Sequence, residues 1–201
     1  MQRKDRSIRL LEAFSTLMTE EEKKLIKGCK DGNSASQKQL YLEYGPMIKG
    51  ICLRYTGNET EAEDLFHDTF VLILTNFNKY KNITSLSGWL RKITINKAID
   101  YFRSQQYRRT DDLDEIQEMV PTLESSESIL TMPQLVSFIN KLPDKYRMAF
   151  NLYVVDEYEQ QEIAEIMGES LSNVRSLISR AKSILRAHIR IYLNNEEFNI
   201  D

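Results

Sequence analysis

The chain has 201 residues, enough for one or two domains that each enclose a core. Hydrophobic residues make up 41% and charged residues 28%, an ordinary balance for a globular protein, and no apolar run approaches the roughly 18 residues that a membrane span needs, so no membrane insertion is expected. A net charge of −3 argues against a chain that grips nucleic acid unaided, and Cys29 and Cys52 make neither a CxxC nor any metal-ligand spacing, so reduced thiols, a cytoplasmic setting and no metal or other cofactor are expected.

Seven glycines and four prolines, with long stretches free of both, predict an all-α fold. Residues 1–17 show a weak helical pattern and read as an extension, too charged for a secretory signal. Thr19-Glu20-Glu21-Glu22 is a capping box that opens a short helix to about Lys30, stopped by Asp31-Gly32. Ser34 to Gln37 forms a second box and opens a helix carrying Leu40, Tyr41 and Tyr44. Gly45-Pro46 is expected to interrupt it, and Met47 to Tyr55 to continue as a further helix with Ile48, Ile51 and Cys52 inward. Thr60 to Glu63 is the third box, leading a helix to about Asn76 whose Leu65, Phe66, Thr69, Ile73 and Phe77 recur at helical spacing. Five acids between Glu59 and Asp68 load its first turns, where the helix dipole favours them. Asn78 to Ser87 is a polar loop. A helix then runs from Ser87 to about Arg103, with Trp89, Leu90, Ile93 and Phe102 toward a core and Arg91, Lys92, Lys97 and Arg103 outside; Asp100 reads as an ion-pair partner for a nearby arginine.

Charge is sorted into blocks. Lys79 to Arg109 holds eight bases and one acid, whereas Asp111 to Glu127 holds seven acids and no base, which suggests separate surfaces for separate partners. Residues 104–132 lack a sustained helical period and form a flexible acidic linker between a first helical domain, 18–103, and a second, 133–201. In the second, Leu135, Phe138, Ile139 and Leu142 make one stripe, Pro143 opens the next helix, and Phe150, Leu152, Tyr153 and Val154 are core candidates.

Gln160 to Leu185 then reads as two helices joined by a tight turn. Ile163, Ala164, Ile166 and Met167 are apolar, Gly168 suits a helix stop, and Ser170 suits an N-cap. Leu171, Val174, Ile178, Ala181 and Leu185 form one stripe of the second helix. The other face carries Ser172, Asn173, Ser176, Ser179, Arg180 and Ser183, flanked by Arg175 and Lys182. Periodicity alone fits an amphipathic hairpin with a solvated outer face. Charge segregation favours a helix-turn-helix with a basic recognition helix: Asp156 to Glu169 has six acids and no base, and Leu171 to Arg190 has five bases and no acid.

Two separated stretches resemble one family. AEDLFHDTFVLIL with SLSGWLRKITINKAIDYFR resembles region two of bacterial sigma factors, and LPDKYRMAFNLYVVDEYEQQEIAEIMGESLSNVRSLISRAKSIL resembles their region four. With only a linker between them, the pattern resembles the extracytoplasmic-function (ECF) sigma factors over about residues 18–190. The resemblance implies a promoter-specificity subunit with no chemistry of its own. Its partners would be core RNA polymerase (β′ clamp helices and β flap), promoter DNA and an anti-sigma factor. It places polymerase binding on Glu63, Asp64, Leu65 and Asp68, and −10 contacts on Tyr80, Lys81, Trp89, Arg91, Lys92, Asn96 and Lys97. It places −35 contacts on Ser172, Asn173, Arg175, Ser176, Ser179, Arg180 and Lys182, with the apolar face of region four against the β flap. Leu72 and Leu177 stand where relatives often carry bases, and Glu157 and Glu159 where a glycine and a capping serine are usual. The acidic run 111–127 reads either as a solvated linker or as a segment threaded through a basic channel of polymerase. Two other functions compete: a self-sufficient helix-turn-helix regulator with an N-terminal helical sensor domain, and a helical enzyme. The enzyme lacks any nucleophile, phosphate-loop or His/Glu motif.

Overall fold

The computed structural model describes residues 19–77, 85–108 and 130–197, and every described element is helical. In chain order these are α1 (Glu20–Lys30), α2 (Ser34–Thr56), α3 (Glu59–Asn76), α4 (Leu86–Arg108), α5 (Met132–Asn140), α6 (Asp144–Phe150), a π-helical turn (Asn151–Val155), α7 (Gln160–Met167) and α8 (Leu171–Glu197). They form two compact units. The first takes the described residues of Met1–Cys52 together with Glu63–Lys97; the second takes Leu53–Ala62 and the described residues of Ala98–Asp201.

Most helix starts follow the local chemistry expected of them. Thr19 N donates to Glu22 Oε2 at 2.8 Å and Glu22 N to Thr19 Oγ1 at 3.1 Å, the full reciprocal box. The next two starts shift by a residue or two, because an asparagine upstream does the capping. Ser36 N donates to Asn33 Oδ1 at 2.9 Å, and Glu61 N to Asn58 Oδ1 at 2.8 Å. Thr131 likewise leads α5, its N donating to Gln134 Oε1 at 2.8 Å, so that Pro133 falls inside the first turn. The expected break at Gly45-Pro46 does not occur: α2 runs through Pro46. Proline there forfeits the bond to the Leu42 carbonyl, but Leu42 is 65% exposed and water can satisfy that oxygen. α4 also continues five residues past the predicted end.

In the first unit the expected stripes are buried: Leu40, Ile48, Ile51 and Cys52 of α2, Leu65, Phe66, Thr69 and Ile73 of α3, Phe77 just beyond it, and Leu90 and Ile93 of α4. In the second, Phe138, Ile139, Leu142, Phe150, Ala181 and Leu185 form one apolar cluster. Tyr153 and Val154 depart from expectation. The π-helical turn, closed by Asp156 N to Asn151 O at 3.0 Å, inserts one extra residue into the helical register. Leu152 therefore stays fully buried while Val154 turns out to 43% exposure and Tyr153 is half-buried.

A buried polar network, which no periodicity announced, also lies inside the second unit. Arg147 donates to the Tyr55 and Thr56 carbonyls at 3.2 and 2.8 Å, to the Leu142 carbonyl at 2.6 Å and to Asp144 Oδ1 at 2.7 Å. It thereby satisfies carbonyls that the end of α2 leaves without helical partners. Gly57 makes room for it: with φ at +80°, a Cβ there would lie 2.6 Å from the guanidinium carbon. Arg54 donates to both Asp156 oxygens at 3.1 and 2.8 Å, and Tyr55 Oη donates to Asp156 Oδ2 at 2.6 Å. Burial first, and then the Asp156 charge, push the Tyr55 hydroxyl above its ordinary range.

Candidate nucleic-acid interface

The turn between α7 and α8 is built as its residues dictate. Ile163, Ala164 and Met167 bury one face of α7, and Gly168 closes that helix in the left-handed region at φ +66°. Ser170 Oγ accepts from Asn173 N at 3.1 Å and starts α8. The burial of Val174, Ile178, Ala181 and Leu185 then fixes the rotation of α8 about its axis. Ser172, Asn173, Arg175, Ser179 and Arg180 are exposed, and Ser176 and Lys182 are half-buried beside them.

Several of these side chains are held in place. Asn173 Nδ2 donates to Glu169 Oε2 at 2.6 Å, and Lys145 pairs with Glu169 at 3.0 Å. Burial alone would raise the Glu169 carboxyl, but the Asn173 and Lys145 contacts outweigh it and hold it below its ordinary value. Arg175 Nε donates to Gln160 Oε1 at 3.1 Å, and Lys182 Nζ sits 5.0 Å from the centre of the Tyr153 ring. Tyr153, Gln160, Arg175, Ser179, Lys182 and Arg186 line a shallow cleft of about 250 Å³. Such a surface offers cations and small polar groups to an anionic, grooved partner. Sequence reasoning missed Gln160, Tyr153 and Glu169: Gln160 and Tyr153 meet α8 from elements before the turn, and Glu169 is tied to the distant Lys145 as well as to Asn173 one helical turn on.

One expectation about α8 is corrected by burial. Leu177 is 7% exposed and faces the core, so the absence of a base there removes nothing from the outer face. Val174, Ile178, Ala181 and Leu185 are taken up by the unit's own core, each exposed by 5% or less.

In the first unit, Glu63, Asp64 and Asp68 lie exposed on α3, but Leu65 is 3% exposed and seats the helix from inside. Glu63 pairs with Lys49 at 3.1 Å and Asp68 with Lys97 at 3.2 Å. Exposed pairs of this kind contribute only about 0–1 kcal/mol, so a stronger partner can displace them. On α4, Arg91, Lys92 and Asn96 are exposed and Lys97 is half-buried. Trp89 packs against Phe77 with ring centres 4.8 Å apart, as a core residue does. Asp100 is exposed and makes no ion pair with a described residue. Leu72 and Val71 leave an apolar strip on α3, 37% and 61% exposed, so the Leu72 position, where the resemblance implies a base, offers none. Tyr80 and Lys81 lie outside the described residues. Among those described, no group of three or more metal-ligating side chains occurs and no helix is long and apolar enough to cross a membrane.

Comparison with known proteins finds two family models in order along the chain: Sigma-70 region 2 over residues 40–108 and Sigma-70, region 4 over residues 133–185. The chain is 29% identical over 180 residues to the ECF RNA polymerase sigma factor SigW of Bacillus subtilis, covering 84% of this chain and 96% of the relative. It is 28% identical over 160 residues to SigM of the same organism, covering 79% and 98%. Among solved structures it is similar to the sigma factor RpoE in complex with the anti-sigma factor NepR from Bartonella quintana, at 21% identity and a TM-score of 0.45, covering 77% of this chain and 96% of that one.

Proposed function

The chain belongs to the extracytoplasmic-function subfamily of RNA polymerase sigma factors, and on that premise we propose how its residues share the work of promoter recognition. α8 enters the major groove of the −35 element with Arg175, Ser176, Ser179 and Arg180 toward base edges and Ser172, Asn173 and Lys182 at the margins. The exposed acids Glu63, Asp64 and Asp68 of α3 meet the β′ clamp helices of core polymerase, releasing Lys49 and Lys97 as they do so. Arg91, Lys92, Asn96 and Lys97 of α4, with Tyr80 and Lys81 of the preceding segment, hold the opened −10 strand. The polymerase and −10 contacts fall to the domain 18–103 and the −35 contacts to the domain 133–201, with the acidic run 111–127 between them. The protein acts in the cytoplasm, performs no chemistry itself, and is restrained by an anti-sigma factor of the kind named with the RpoE structure.

One observation carries this reading: α8 buries Val174, Ile178, Ala181 and Leu185 and leaves Arg175, Ser179 and Arg180 outside, so the face that a groove-reading helix needs is the face left uncovered. The decisive experiment is transcription by core polymerase plus the full chain on a library of −35 sequences. The wild-type chain should initiate only with core polymerase. Arg175→Ala should change the ranking of −35 sequences by about 1–3 kcal/mol at one base pair, and Lys182→Ala should lower output evenly on all of them. An unchanged ranking with Arg175→Ala would overturn the assignment of the reading face.

A further inference from the structure

Gln160 opens α7, and its side chain reaches across the turn to the beginning of α8. There its Oε1 accepts the Nε–H of Arg175 at 3.1 Å. Arg175 is exposed on the outer face, so this contact is what restrains an otherwise free guanidinium. A guanidinium has five N–H donors in one rigid plane. Committing Nε to Gln160 leaves the terminal nitrogens, and a pair of parallel N–H groups matches O6 and N7 of guanine. Holding the arginine in one rotamer before contact also lowers the ordering cost paid on contact.

The side-chain type is informative. A carboxylate at position 160 would hold Arg175 at least as firmly, but it would set a negative charge beside the DNA backbone. The amide accepts through oxygen, adds no charge, and keeps two N–H donors for a phosphate. The adjoining cleft agrees with that choice: its lining includes Arg175, Lys182 and Arg186 and contains no acid.

We propose that Gln160 is a positioning residue for −35 recognition, fixing the Arg175 guanidinium so that its terminal nitrogens address one base pair. The inference rests on the assignment of α8 to the −35 element made above. The test uses holoenzyme assembled from core polymerase and the full chain, transcribing a −35 library. Gln160→Met keeps side-chain length but removes the acceptor, and Gln160→Glu restores the acceptor with a charge.

Gln160→Met should weaken preference at the base pair that Arg175→Ala affects, by about three- to tenfold, the scale of one net hydrogen bond. In the Arg175→Ala background it should weaken that position no further. Gln160→Glu should recover the positional preference while lowering output on every sequence. A uniform loss with the ranking intact in Gln160→Met, or additive losses in the double variant, would overturn the proposal. If Arg175→Ala alone leaves the ranking unchanged, the reading-face assignment fails and takes the proposal with it. If Arg175→Ala shifts the ranking and Gln160→Met does not, only the positioning role fails.

Discussion

Glu157→Gly should stabilise the protein although it removes a side chain and adds none. Glu157 sits between the π-helical turn and α7 with φ at +59°, and no other described non-glycine residue has a positive φ. An L side chain in the left-handed region costs about 1–2 kcal/mol, through the crowding of Cβ against the carbonyl. Glycine removes that cost but returns about 0.5–1 kcal/mol, because its unfolded chain is freer. The net gain is therefore about 0–1.5 kcal/mol, which in a unit of this size raises the melting temperature by up to roughly 12 °C. Calorimetric melting of the full chain would measure it. Glu157→Ala is the control, since it keeps Cβ and removes only the carboxylate near Asp156 and Glu159. Equal stabilisation by alanine and glycine would refute the strain argument and point to acid–acid repulsion instead.

The buried network supplies a loss of larger size. Asp156→Ala leaves the Arg54 guanidinium, whose side chain is 10% exposed, without its carboxylate, and should cost about 3–5 kcal/mol in urea denaturation; a loss under about 1 kcal/mol would show that water replaces the pair. Gly57→Ala combines a disfavoured φ with a Cβ 2.6 Å from the Arg147 guanidinium carbon, so its loss should exceed the ordinary ~1 kcal/mol for such a change, and in an Arg147→Ala background only the excess should be relieved. Burial pushes the Cys52 thiol up to about 12 and the Cys29 thiol up to about 11, from ordinary values of 9.0. The unfolded chain therefore loses these protons first, and the thiols' contribution to stability should be level below pH 9 and fall as pH rises beyond it; Cys52→Ala should flatten that alkaline slope.

The sequence carried local information well and cross-element information poorly. The Thr19 box, the Gly168 stop, the Ser170 cap and the α8 stripe were legible because each depends on residues within about one or two turns of each other. Errors arose where two local signals competed. Ser34 and Thr60 looked like caps, but Asn33 and Asn58 stood just upstream and took the role. Pro46 looked like a break, yet the helix continued because the lost bond falls on an exposed side. Tyr153 and Val154 were misplaced because a π-helical turn shifts phase by one residue and leaves no compositional mark. Arg54, Arg147 and Asp156 were invisible as a group, since about 90–100 residues separate the partners.

Glu157 lies between these cases and shows what a structure adds to a departure from pattern. The sequence alone registered an acid where a glycine is usual, with no means of weighing it. The backbone supplies the weight: the position does adopt the conformation that glycine serves, so the acid is tolerated at a cost rather than accommodated by a different turn. Glu159 resolves the other way. It holds extended N-cap geometry at φ −67° and ψ 145°, and its N–H is taken by Glu162 Oε2 at 2.9 Å, so the helix start survives the loss of the usual serine. Of two neighbouring departures, one is strained and one is compensated. The turn that aims Gln160 at Arg175 is thus held by compensation on its helical side and opposed by strain on the other, which is why Glu157→Gly should stabilise the unit without disturbing the Gln160–Arg175 contact.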